Sequence, residues 1–78
     1  MDTNTIDRRI GQNLRDKRLA ASMSQEALGD ALGVTFQQVQ KYEKGVNRVS
    51  ASGLWLAAVA IGVPVAAFFE GLGAGRAP

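Results

Sequence analysis

Residues 24–50 read SQEALGDALGVTFQQVQKYEKGVNRVS, and this stretch decides the fold. Ser24 supplies a side-chain oxygen suited to cap a helix, and Ala27, Leu28, Ala31 and Leu32 then fall on one face of a helix predicted over 25–32. Gly33 ends it, because a residue without a Cβ enters the left-handed conformation at little cost. Two residues later Thr35 offers a second cap, so a helix over 36–43 follows after a very short connection. In that helix Val39 and Tyr42 share the inner face, which leaves Gln37, Gln38, Gln40, Lys41 and Lys44 mostly on the other, and Gly45 closes it. Two helices crossing steeply through so short a turn bring their backbones close, which explains the small Gly29.

Working outward, Ile6, Ile10 and Leu14 recur every four residues among charged side chains and predict a first amphipathic helix over about 6–21. Downstream, Ser50 caps a fourth helix whose Leu54–Ile61 segment is apolar on every side. Pro64 fits the first turn of a fifth helix from Val65 to about Glu70. The pattern therefore predicts an all-α fold of five helices over 6–70, with a flexible arm at 1–5 and a loose tail at 71–78.

Composition narrows the function. The 78 residues hold no cysteine and no histidine, which excludes a disulfide framework, a thiolate zinc site and a histidine-based catalytic dyad. With no nucleophile–base pair, metal cluster or phosphate loop in the pattern, an enzyme fits worst, and no cofactor is called for. Hydrophobic residues make up 46% of the chain and charged residues 21%, a balance that supports a packed core. Charge is unevenly placed: residues 8–48 carry eight of the nine basic side chains against four acids, while Arg76 stands against Asp2, Asp7 and Glu70 in the remainder. A basic front and an apolar back suit a domain that meets a polyanion on one side and a protein on the other. The polar N-terminus lacks a signal-peptide pattern, which predicts a cytoplasmic protein. Val49–Phe69 is uncharged and close to the ~20 residues that span a bilayer, but Gly62-Val63-Pro64 divides it, so a membrane-tethered helical protein is the lesser alternative.

The 24–50 stretch resembles the helix-turn-helix core of the Cro and phage-repressor (XRE) family, in its Ser-Gln opening, Gly-Val turn and Glu-Lys-Gly ending. Ile10, Gly11, Leu14, Arg15 and Arg18 extend the likeness upstream, so that it covers about 6–72. The resemblance implies a compact lambda-repressor-like domain acting as a dimeric, sequence-specific regulator of double-stranded DNA, in the first place a repressor. The helix at 36–43 would enter the major groove, with Phe36, Gln37 and Lys41 at base edges and Gln38 and Gln40 nearby. The start of the 25–32 helix, at Ser24 and Gln25, would meet phosphate together with Arg15, Lys44, Asn47 and Arg48. Arg18 and Glu43 match a partly buried ion pair of the family. Glu26 and Asp30 resemble an acidic patch with which some phage repressors touch RNA polymerase.

One position departs from the pattern. Phage repressors place a glutamine where this chain has Phe36, and pair it with the residue matching Gln25. That pairing is closed to a phenylalanine, which leaves Phe36 to pack on a thymine methyl or to tuck against the protein. Trp55, Phe68 and Phe69 exceed what so small a core requires and would serve a homodimer whose recognition helices stand about 34 Å apart on a pseudo-palindromic operator. An antitoxin or restriction-modification controller, working with a partner protein or operon, is the main alternative.

Overall fold

The computed structural model describes residues 2–73. Helix α1 spans Thr3–Ala20, α2 Gln25–Leu32, α3 Phe36–Glu43 and α4 Ala51–Ile61, and a 3₁₀ helix covers Val65–Phe69. Among the described residues all regular structure is helical.

Each α-helix starts at a side-chain cap. The Ser24 hydroxyl accepts from the Ala27 N–H at 3.0 Å, Thr35 from Gln38 at 3.2 Å and Ser50 from Gly53 at 3.0 Å. Such caps satisfy one of the amides that a helix start leaves without a partner. Gly33 and Gly62 end α2 and α4 with φ of 73° and 86°, the left-handed conformation expected of glycine there.

The first helix begins earlier than the apolar repeat suggests. Asp2 accepts the Thr5 N–H at 2.8 Å and so starts α1 at Thr3, which makes residues 3–5 helical and not part of an arm. The expected fifth helix is a 3₁₀ helix, so the described residues form four α-helices. Pro64 contributes no N–H, no side chain caps the segment, and Gly71 at φ 84° turns the chain, so only tight closures such as Ala67 N–H to the Pro64 carbonyl (2.9 Å) form. Residues 74–78 of the expected tail lie outside the described residues. No described helix is long and apolar enough to cross a membrane.

Leu14, Leu28, Val39, Leu54, Ala57, Ala58 and Phe68 form the buried core. Phe68 is fully buried there, so of the three aromatics expected at a dimer surface it is unavailable. Asn13 holds it in place. This buried amide donates to the Phe68 carbonyl at 2.8 Å and to the Glu70 carbonyl at 2.7 Å, fastening the 3₁₀ helix to α1. Lys17 adds an exposed ion pair to Glu70 at 2.9 Å.

Candidate nucleic-acid interface

Two glycines set the angle of α3. A Cβ on Gly29 would lie 2.7 Å from the Val34 carbonyl oxygen, so the α2–turn–α3 unit closes only with glycine at that position. On the other side, a Cβ on Gly11 would run into the Tyr42 carbonyl oxygen, so α1 crosses the end of α3 at backbone contact. Val39 and Glu43 are buried on the inner face of α3, whereas Phe36, Gln37 and Lys41 are exposed, with Lys44 just beyond. Three of the five side chains expected at base edges thus share an open surface. Gln38 and Gln40 are half-buried.

Behind that surface runs a continuous polar chain. Arg18 donates to Glu43 through Nε at 2.6 Å and through a second guanidinium nitrogen at 3.0 Å, and its third nitrogen reaches the Met23 carbonyl at 2.8 Å. The two side chains are only 7% and 3% exposed, so the ion pair expected between α1 and α3 is present and nearly dry. Glu43 also accepts from Gln25 Nε2 at 3.0 Å, and Gln25 Oε1 accepts from Gln40 Nε2 at 3.2 Å. A carboxylate in an ion pair can only accept, which fixes the orientation of both amides: nitrogen toward Glu43 for Gln25, nitrogen toward Gln25 for Gln40.

Gln25, expected to assist a phosphate contact, also bonds Glu43 and Gln40 through its amide, which leaves one of its two N–H bonds unused. The glutamine that pairs with it is Gln40, one helical turn beyond Phe36, and Phe36 itself stays 42% exposed. The remaining expected phosphate residues Arg15, Ser24, Lys44, Asn47 and Arg48 are all exposed. The Ser24 hydroxyl is engaged as a cap, and Arg48 reaches Asp7 at 3.2 Å, a contact between the start of α1 and the loop after α3 that sequence reading missed. Glu26 and Asp30 are exposed on α2. On α4, Trp55 and Val59 are 64% and 67% exposed, and Leu56 and Phe69 are exposed with them.

A capped helix, a tight glycine turn and a second helix with a polar face turned outward define a helix-turn-helix protein. Residues 14–68 match the helix-turn-helix family, and the chain belongs to that family, in its XRE branch. An HTH-type transcriptional regulator of Sinorhizobium medicae (strain WSM419) is 51% identical over 78 residues, which cover 96% of this chain and 56% of that relative. This chain therefore spans little more than half the length of that relative. A transcriptional regulator in the ATPase CF(0) region of Rhodospirillum rubrum is 49% identical over 74 residues, 91% of this chain and 68% of the relative. Among solved structures, the restriction-modification controller protein C.AhdI from Aeromonas hydrophila superposes with a TM-score of 0.74 at 31% identity, over 80% of this chain and 94% of that one. The clp gene regulator ClgR from C. glutamicum shares the fold with a TM-score of 0.79 at 24% identity, over 94% and 96% of the two chains.

Proposed function

We propose that this chain binds double-stranded DNA sequence-specifically as a homodimer and acts as a transcriptional repressor, with α3 in the major groove. The observation that carries this reading is the outward face of α3, where Phe36, Gln37 and Lys41 stand exposed on a helix whose inner face is held by the Arg18–Glu43 pair. Gln37 matches the donor–acceptor edge of adenine and Lys41 the acceptors of guanine. Phe36, 42% exposed, is open to pack on a thymine methyl. The exposed Trp55, Leu56, Val59 and Phe69 supply an apolar face for a second copy. Glu26 and Asp30 remain open on α2 for a polymerase contact.

The likeness to C.AhdI supports a second reading, a restriction-modification controller. Selection of bound sites from random duplexes tests the DNA reading directly: a recurring pair of half-sites is expected, and Gln37→Ala should relax one position by about 1–3 kcal/mol. Absence of binding to any duplex, or binding indifferent to salt, would overturn it.

A further inference from the structure

We infer that the cleft between α1 and the C-terminal end of α3 seats a DNA backbone phosphate, and that Arg8 is one of the side chains that neutralise it. This rests on the DNA-binding reading above and adds to it a residue outside the helix-turn-helix unit. Arg8, Gln12 and Arg15 follow one another along a single face of α1 and form one wall of a cleft of about 390 Å³, with Lys44 opposite. The cationic wall is held there by contact between backbones. Besides Gly11 against the end of α3, a Cβ on Gly45 would lie 2.7 Å from Arg8 Cα and 2.6 Å from Arg8 Cγ, so Arg8 is pressed onto the turn that follows α3.

Among the described residues, Arg8, Arg15 and Lys44 take part in no ion pair, whereas Lys17, Arg18 and Arg48 each hold a carboxylate. Three cations converging from two elements outnumber the one lining carboxylate, Glu43, and leave a site of net positive charge. Glu43 does reach the cleft, but both its oxygens accept from Arg18 and one accepts from Gln25, so its charge is met from within. Gln25 and Gln40 complete the floor. Each amide nitrogen carries two N–H bonds and directs one along the polar chain, leaving one free to donate. Cationic side chains on the walls and amide donors at the base match the oxygens of a phosphodiester. Phe36, Gln37 and Lys41 do not line the cleft, as suits a contact that fixes register rather than reads sequence.

The test measures affinity of the full chain for a fluorescent mixed-sequence duplex across a salt series. Arg8→Gln keeps Cβ and Cγ against Gly45 and should lower the slope of log affinity against log salt by about one, the loss of one phosphate neutralised. Arg8→Lys should restore it. Arg9→Gln removes the same charge one residue along, where the side chain leans on Gly71 outside this cleft, and should leave the slope unchanged. Sites selected by Arg8→Gln should match those of the unaltered chain. An unchanged slope in Arg8→Gln, or an equal fall in Arg9→Gln, overturns the phosphate seat; failure of the unaltered chain to bind any duplex overturns the DNA reading instead.

Discussion

The two halves of this domain are stabilised by different means. Around α1 and α3 a nearly dry ion pair and two glutamines run from the interior to the surface in one hydrogen-bonded chain. Around α4 and the 3₁₀ helix the interior is aliphatic and aromatic apart from Asn13, and the apolar character continues onto the outside at Trp55, Leu56 and Val59. Directional bonds fix one angle between helices, as the proposed docking of α3 in a DNA groove requires. Non-directional apolar contact tolerates adjustment, which suits the proposed dimer face.

The comparison can be broken most severely in its interior. Phe68→Ala should cost about 3–5 kcal/mol by opening a cavity in the apolar half. Arg18→Ala should cost about 3–5 kcal/mol by leaving Glu43 buried without its partner. Urea unfolding measures both, and the contrast sharpens with replacement of the whole pair by Met and Leu, which should return much of the stability while degrading DNA affinity. No such rescue is available to the cavity. Gln40→Ala removes the outermost link of the chain and should cost about 1 kcal/mol, accompanied by altered exchange of the Gln25 side-chain amide in NMR spectra.

Trp55→Ser probes the outer apolar face. It should change unfolding of the isolated subunit by less than about 0.5 kcal/mol while shifting sedimentation toward the monomer. A large loss of subunit stability would place Trp55 with the core and not with an interface.

The smallest effect belongs to Asp2. The Thr5 backbone N–H holds its carboxyl below the ordinary value of 3.8, so the cap contributes above that value and is lost as pH falls through the lowered one. Exchange of the Thr5 amide should quicken there in the native chain, and an Asp2→Ala chain should lack the transition.

Much of the fold was legible because it rests on local chemistry: Ser24, Thr35 and Ser50 cap, and Gly33 and Gly62 turn, with no help from distant residues. The start of α1 was misjudged because the apolar repeat begins at Ile6 whereas the cap sits at Asp2. Phe68 and Phe69 were indistinguishable in sequence, since which of two neighbours points inward depends on how the 3₁₀ helix is fastened to α1. Asn13 carried a usable signal, as an amide on the same helical face as Ile10 and Leu14 that must find partners once buried. At the candidate interface the outward residues of α3 followed from helical periodicity, and the Arg18–Glu43 pair from family resemblance. The Gln25–Gln40 bond and the approach of Arg8 to Gly45 join residues far apart in the chain, and no local pattern announces them.

Asn13 also gives the domain a mechanical property. Its two bonds to the Phe68 and Glu70 carbonyls, with the Lys17–Glu70 pair beside them, form a tether between the middle of α1 and the strand of chain that leaves at Gly71. Tension applied beyond Leu72 would be delivered first to α1, the helix that braces α3, before α4 felt it. A pull at Leu72 would therefore load α1, and Asn13→Ala would remove two of the contacts that carry it.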